Sequence, residues 1–409
     1  MMRNRIVFII LATWGLLQSA FAASVETDRS WYLAGEAMKI RIKADDAIIA
    51  YAELCDTQGL ASGVVVGLKG NEGIGTIELP PDLHSGYYVL SVYTRHNANV
   101  SQRLVAIINP LRKSADDDIQ WVLGDSCWVT ANGDSTNTQH LTPNTKNVDE
   151  RETEGHIIKA RIRNVSDGST FKASQICPSL SIVGKQIHYF EGKMVDDSTA
   201  VFYTFGIHGR QQLVLSATSF TGVSLPIEMI SPFATLLPKQ LPHLVFHYKR
   251  SEVEARSLDM QRHQIAIASA DSVLLDYDER AYGTKPDLSY NLDEYRQFFT
   301  VREVLIEYVN CVKTKKIEGV TKMLVRREQD TFDETWPAMV LIDGMPIVNV
   351  ERLLAYDARR VHHINIYGGK YTFGNGVYNG ILSFVTRSGR LTNYPVEPNM
   401  QYLVYDFPE

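Results

Sequence analysis

Short runs of alternating apolar and polar residues, separated by turn signals, dominate the first 230 residues of this chain. In the clearest run, residues 38–43 alternate methionine or isoleucine with lysine or arginine, as strands with one buried face do. Similar runs recur at the regular spacing that is typical of β-sandwiches. Because 409 residues exceed what one core usually serves, we expect a mainly β, multidomain protein.

Composition excludes few function classes, but it argues against one. The hydrophobic fraction is 44% and the formal net charge is -6, which is ordinary for a globular protein. Nucleic-acid binding depends on clustered positive charge that neutralises phosphates. We therefore expect no nucleic-acid partner.

The first 22 residues have the pattern of a cleavable secretory signal peptide. Arg3 and Arg5 precede an apolar segment at 6–17, and Ala20-Phe21-Ala22 supplies the cleavage pattern. That segment is shorter than the roughly 20 residues needed to cross a bilayer. We expect export across the inner membrane and a mature chain that does not itself span a membrane. In an oxidising compartment the four cysteines allow three pairings, among which spacing does not choose: Cys55, Cys127, Cys177 and Cys311.

Residues 23–109 contain Trp31-Tyr32-Leu33-Ala34-Gly35-Glu36 and Leu79-Pro80-Pro81-Asp82-Leu83. These motifs resemble the macroglobulin-type (MG2-like) immunoglobulin-fold domain of secreted Bacteroidetes envelope proteins. The resemblance implies a structural spacer that carries no catalytic residue. Residues 155–232 are similar to the carboxypeptidase-regulatory-like β-sandwich that often follows such domains.

Near the carboxyl end, three strand patterns with glycine turns cover residues 337–347, 361–369 and 380–389. Apolar residues recurring at three and four from Leu292 to Val309 predict an amphipathic helix before them. The glycines suit turns that need a positive φ. The motif positions that we single out are Asp343, Gly344, Pro346, Ile364, Ile366, Tyr367, Gly368, Gly380, Thr386 and Gly389.

Taken in this order, residues 290–390 resemble the plug domain of TonB-dependent outer-membrane receptors. In such receptors the plug lies inside a barrel of about 22 strands. Too few residues follow Gly389 to form that barrel. The resemblance therefore implies a small α+β plug-like domain without its barrel, and its motif positions are expected to serve structure or interaction.

The resulting organisation has seven parts. They are a signal peptide (1–22), an MG2-like sandwich (23–109), a linker or long loop (110–154), a second sandwich (155–232), a connector (233–289), the plug-like domain (290–395) and a tail (396–409).

Two motifs suggest chemistry. Ser169-Thr170-Phe171-Lys172, with Ser289-Tyr290-Asn291 downstream, has the layout of penicillin-recognising serine enzymes, but that chemistry needs the serine at a helix start and this motif lies between predicted strands. His362 and His363 could ligate a metal, yet adjacent residues of a strand point to opposite faces. We therefore assign no catalytic, metal-binding or cofactor-binding residue, and expect no cofactor.

The leading hypothesis is a non-enzymatic binding or scaffold protein, periplasmic or associated with the outer membrane. It would present its barrel-less plug-like domain to an envelope protein partner. The first alternative is an accessory of an uptake system that binds a glycan or small ligand, and the second is a serine acyl-enzyme.

Overall fold

The computed structural model describes residues 23–45, 47–95, 97–132, 152–153, 155–163, 170–184, 188–220, 223–269, 285–317, 319–326, 331–373, 376–391, 394 and 397–408. The predicted signal peptide and Ser169 of the serine-enzyme motif lie outside these residues.

The described chain forms 25 strands and three α-helices. The strands of the first half are β1 (Ser24–Thr27), β2 (Trp31–Leu33), β3 (Ala37–Lys43), β4 (Ile49–Cys55), β5 (Leu60–Gly67), β6 (Glu72–Glu78), β7 (Gly86–Thr94), β8 (Asn97–Ile108), β9 (Ile119–Leu123), β10 (Trp128–Asn132), β11 (His156–Ile162), β12 (Ile176–Ile182), β13 (His188–Met194), β14 (Thr199–Thr204), β15 (Gly209–Ser219), β16 (Ile227–Ile230) and β17 (His243–Tyr248). The remaining elements are α1 (Arg250–Ser269), β18 (Leu288–Asn291), α2 (Val301–Tyr308), β19 (Val312–Ile317), β20 (Val320–Val325), β21 (Met339–Ile342), β22 (Met345–Pro346), α3 (Val350–Leu354), β23 (Val361–Phe373), β24 (Gly376–Thr386) and β25 (Gln401–Phe407).

The first sandwich packs the sheet β1-β3-β6 against the sheet β2-β8-β7-β4-β5. Strand β3 buries its methionine and isoleucines and exposes its lysines and arginine, as its alternation predicts. Its inward residues join Tyr32, Leu54 and Tyr88 in one core.

The second sandwich has the strand order β16-β11-β14-β13-β12-β15-β25. Its last strand comes from the far end of the chain: β25 pairs with β15 from Gly209 opposite Phe407 to Leu215 opposite Gln401. Residues 396–409, expected as a tail, thus contain a strand whose Tyr405 and Phe407 lie in the core of the second sandwich.

The carboxyl-terminal domain is a mixed sheet, β18-β23-β24-β21-β22, with α2 and α3 packed on one face. The predicted helix was too long: residues 292–294 form a 3-10 turn, and α2 begins only at Val301. Its start is set by a capping box, in which the Thr300 side chain accepts from Glu303 N while Glu303 accepts from Thr300 N.

The connector between the second sandwich and the carboxyl-terminal domain returns to the first sandwich. Strand β17 pairs with β9 and β10, and its Leu244 and Phe246 pack with Trp31. From α1, Arg256 Nε donates to Glu36 Oε1 at 3.0 Å, and the guanidinium lies 3.7 Å from the centre of the Trp31 ring. This segment therefore belongs to the first structural unit.

Buried polar contacts join the two sandwiches. The Tyr51 hydroxyl donates to Glu152, with oxygen distances of 2.6 and 2.7 Å, and Arg95 Nη1 donates to the same carboxylate at 3.1 Å. His156 Nδ1 lies 3.2 Å from Glu152 Oε1, and its Nε2 lies 2.6 Å from the hydroxyl of Tyr405. We call these five residues the junction network.

The predicted fold class is confirmed: the protein is mainly β and multidomain, with tandem immunoglobulin-like sandwiches followed by a small α+β domain. Within the described ranges, no helix combines the length and apolarity needed to cross a membrane.

Candidate functional site

Two of the predicted motifs meet at the end of the carboxyl-terminal sheet. Asp343 is 1% exposed and accepts hydrogen bonds from Thr386 N at 2.7 Å, Thr386 Oγ1 at 2.5 Å and Leu391 N at 3.0 Å. Gly389 N donates to Thr386 Oγ1 at 3.0 Å. Asp343 and Gly344 have φ values of 45° and 80°, as the centre of a type I′ hairpin requires. These positions close the sheet, which is a structural role.

The predicted positions on β23 divide between the two faces of the sheet. Ile364 and Ile366 enter the core beneath α2 and α3. Tyr367 packs on the other face, against Met339 and Ile381. These side chains stabilise the sheet from both sides and leave no reactive group free.

The remaining predicted positions are Gly368, Gly380 and Pro346, and the two glycines have backbone roles. Gly368 N donates to Asp287 Oδ2 at 2.5 Å. Gly380 has a φ of 95°, and a Cβ there would lie 3.2 Å from the carbonyl oxygen of Tyr367, so a side chain would be strained in two ways. Pro346 lies on β22 and lines the cleft described next.

A cleft of about 450 Å³ lies between the second sandwich and the carboxyl-terminal domain. We call it the interdomain cleft. One wall is the outer face of β12 and β15, and the other consists of residues 335–340, the β22 turn and the beginning of β24. A volume of this size accommodates a small organic ligand.

The sandwich wall of the interdomain cleft carries hydroxyl groups. Leu180 and Leu215 point into the sandwich core, so the residues that alternate with them point outward. Ser179 lies opposite Ser216 in the register of β12 and β15, and their Oγ atoms are 2.6 Å apart. One hydrogen bond between two hydroxyls uses only one of their hydrogens. The pair therefore retains hydrogen-bonding capacity at the base of the cleft.

The other wall is aromatic. Trp336 is 38% exposed. Two backbone hydrogen bonds hold the residues that follow it: Ala338 N donates to Met323 O at 2.9 Å, and Asn379 N donates to Pro337 O at 3.2 Å. This attachment to β20 and β24 anchors the backbone next to the indole.

Tyr378, also on this wall, lies over Gly376, where an added Cβ would come within 2.8 Å of the tyrosine ring. Burial, with the nearby Cys177 and Glu191, raises the pKa of Tyr378 to about 12. Its hydroxyl is thus neutral near pH 7 and acts as a polar, uncharged group.

The cleft holds little charge. Lys322 is the one charged side chain among the described residues that line it. Burial, with a smaller effect of Glu191, raises the pKa of the Cys177 thiol to about 11, so the thiol is neutral near pH 7 and weakly nucleophilic. An adjoining groove of about 330 Å³ shares Cys177 and Tyr189. The arrangement suits binding better than bond making.

The serine-enzyme motif is only partly described. Ser289 Oγ donates to Asn365 Oδ1 at 2.6 Å within the sheet, and its proposed partner Ser169 is outside the described residues. All four cysteines are described and form no disulfide, and Cys55 is fully buried.

The prediction that His362 and His363 point to opposite faces was wrong. A register irregularity in β23 between Val361 and His363 brings the two rings to 4.1 Å between centres. His362 Nε2 also lies 3.4 Å from Asp293 Oδ2. Across the part of the chain that the structure describes, no group of three or more His, Cys, Asp or Glu side chains is placed to hold a metal ion.

Sequence reasoning missed the interdomain cleft. Its one available signal was the alternation in β12, where Cys177 and Ser179 interrupt apolar neighbours. Such a pattern predicts a polar outer face. It does not reveal that another domain covers that face.

No protein-family model and no curated protein matches the chain. Among solved structures, the chain is similar to the BSP domain of a biofilm-associated protein, with 11% identity and a TM-score of 0.18, covering 53% of this chain and 30% of that one. It is similar to trypsin-activated α2-macroglobulin of Escherichia coli, with 12% identity and a TM-score of 0.20, covering 52% of this chain and 16% of that one. It is also similar to the Escherichia coli adhesin FdeC, with 11% identity and a TM-score of 0.19, covering 56% and 65%. The chain thus spans less than a third of the length of the first two of these proteins.

Proposed function

We propose that this protein is a non-enzymatic binding and scaffold protein of a Gram-negative, Bacteroidetes-type cell envelope, which presents its carboxyl-terminal domain to a protein partner at the outer membrane. One observation carries the proposal: the carboxyl-terminal domain is built into the second sandwich. Val183 and Val214 of the sandwich belong to the core of that domain. Gly184 N donates to Asp343 O at 3.1 Å, and the Tyr402 hydroxyl donates to Met345 Sδ at 2.9 Å.

A shared core opposes relative motion of two domains, whereas domains joined by a small polar interface move by default. The junction network extends the same coupling to the first sandwich. The sandwiches would therefore act as a stiff support that holds one surface at a fixed distance and angle.

The sequence supports the location and the partner class. Residues 1–22 have the signal-peptide pattern, which favours the periplasm or the outer membrane. The motif order in residues 290–390 resembles receptor plugs, whose natural surroundings are outer-membrane proteins. Neither feature calls for a catalytic residue or a cofactor.

The presented surface has a candidate centre near α2. Phe299 and Ile306 are 70% and 69% exposed, and the guanidinium of Arg359 lies 5.3 Å from the centre of the Phe299 ring. Aromatic residues and arginine are enriched in protein interfaces, and an exposed aliphatic side chain beside them enlarges the apolar surface.

Site-specific photo-crosslinking in intact cells tests the proposal. A photoreactive residue at Phe299 or Ile306 of the exported full-length chain is expected to capture an outer-membrane protein. The same residue at Ile74 of the first sandwich, which is 71% exposed, is the matched control and should capture little. Equal capture at all three positions, or no capture at Phe299 and Ile306, would contradict the proposal.

A further inference from the structure

We infer that the interdomain cleft is a binding site for a neutral saccharide, which would stack on Trp336 and hydrogen-bond to the hydroxyls of Ser179 on β12 and Ser216 on β15. This inference deepens the ligand-binding alternative and does not require the scaffold function.

The shape and polarity of the walls are complementary to a pyranose. A sugar ring has a flat apolar face of C–H groups and an equatorial rim of hydroxyls. Trp336 offers a partly exposed indole beside a backbone segment that two hydrogen bonds anchor. An indole combines a large apolar surface with an electron-rich π face. Ser179 and Ser216 offer hydroxyls at the other wall. A ring with one apolar face and a polar rim satisfies both walls at once.

The base of the cleft favours an occupant with hydroxyl groups. Ser179 and Ser216 are 3% and 4% exposed, yet both line the cleft. Their mutual hydrogen bond satisfies each hydroxyl once and leaves one hydrogen and several lone pairs for a further partner. A ligand hydroxyl can accept the remaining hydrogen of this pair and donate to its lone pairs, which an apolar ligand cannot do.

Charge argues for a neutral sugar. Lys322 is the charged side chain among the described lining residues, and it already has an interaction partner. In the adjoining groove, Glu191 and Lys193 carry opposite charges. Acidic sugars are recognised by clustered positive groups that pair with carboxylates, and this cleft does not offer such a cluster among its described residues.

Three of the strands that line the cleft have no backbone edge available to a peptide. Strand β12 is paired on both sides by β13 and β15, β15 is paired by β12 and β25, and β24 is paired by β21 and β23. Peptides that bind along sheets take their affinity from free main-chain groups at an edge. The short β22 could offer such an edge, but its Pro346 has no N–H to donate. Recognition along these strands uses side chains, which suits a saccharide.

The test uses the purified full-length mature chain, without any partner protein. It is screened on an array of neutral and acidic glycans, and neutral oligosaccharides that bind are measured by titration calorimetry. We expect binding to at least one neutral glycan and not to its acidic counterparts. Trp336→Ala is expected to weaken that binding about tenfold through loss of stacking, and Trp336→Phe should retain most of it. Ser179→Ala is expected to weaken it several-fold.

Trp128→Ala is the matched control, because Trp128 is also exposed, at 46%, but lies in the first structural unit and stacks on His247. Circular dichroism checks that each variant is folded; if Trp336→Ala unfolds, Trp336→Phe and Ser179→Ala still report on the site. Three results would overturn the inference: no neutral glycan bound, binding that Trp336→Ala and Ser179→Ala leave unchanged, or a silent array together with Trp336-dependent binding of a peptide from a display library. None of these results bears on the crosslinking test.

Discussion

At the scale of single residues, the buried carboxylate of Asp343 organises the end of the carboxyl-terminal sheet. Replacing it with alanine would leave the donors of Thr386 and Leu391 without their acceptor. Alanine also tolerates the positive φ of this position less well than aspartate does. We expect Asp343→Ala to lower the free energy of unfolding of this domain by about 2 to 4 kcal/mol. Urea unfolding followed by circular dichroism measures the change.

The control for this prediction is Asp293→Asn. Asp293, like Asp343, accepts a side-chain hydrogen bond, in its case from Arg387 Nη2 at 2.6 Å, but the Asp293 side chain is 48% exposed. Solvent screens such a pair, so its unfolding midpoint should stay close to that of the unmodified protein. If both variants shift the midpoint equally, Asp343 has no special structural role.

The residues differ in how far the sequence could predict them. Asp343-Gly344 was predictable, because a tight turn depends on the conformational preferences of its own two residues. Ser179 and Trp336 were not predictable as a site, because they come together only when two domains pack. Local pattern indicates which face of a strand is polar, whereas the identity of what covers it is decided by tertiary contacts.

At the scale of secondary-structure elements, the same division between local and tertiary information explains the length of α2. The apolar period from Leu292 to Val309 predicted one long helix. In the structure, Tyr295 and Phe298 lie outside the helix and pack their rings against Tyr308, at 4.6 and 5.5 Å between centres. The aromatic residues before α2 thus have the sequence spacing of a helix, although they pack against the helix from outside it. The capping box at Thr300 was the decisive local signal.

Strand β25 gives a prediction about coupling between distant parts of the chain. Phe407 is 3% exposed and packs in the core of the second sandwich, whereas Val404 on the same strand is 50% exposed. Phe407→Ala is expected to destabilise the second sandwich by about 3 kcal/mol. Val404→Ala should change its stability by less than about 0.5 kcal/mol.

Thermal unfolding and limited proteolysis distinguish the two β25 variants, because a loosened sandwich exposes new cleavage sites in β15. Equal melting temperatures and identical proteolytic patterns for Phe407→Ala and the unmodified protein would show that β25 contributes little. The pairing of β25 with β15 could not be predicted from the sequence, since strand patterns specify faces and leave the partner open.

At the scale of the whole molecule, the junction network sets how the two sandwiches are held. Glu152 accepts from Tyr51 of the first sandwich and from Ile157 N of the second, at 2.9 Å. Removing one member of a buried charged network costs more than removing a surface pair, because the remaining groups stay buried without partners. We therefore expect the relative placement of the sandwiches to depend on the charge of Glu152.

This dependence predicts a loosening of the junction in acid. Burial by itself raises the pKa of a carboxyl, but hydrogen bonds from His156 and Tyr51 and the charge of Arg95 outweigh it and hold the pKa of Glu152 below its ordinary value. A carboxyl whose pKa is lower in the folded state stabilises that state above its unfolded pKa of about 4.3, and the stabilisation is lost as pH falls through the folded value.

We expect the free energy of unfolding to fall more steeply below about pH 4.3 in the unmodified protein than in Glu152→Gln. In that pH range the radius of gyration from small-angle scattering should increase as the sandwiches separate. Glu152→Gln should be less stable at pH 7 and lack this component of the acid response, and parallel pH profiles for the two proteins would show that Glu152 does not control the junction.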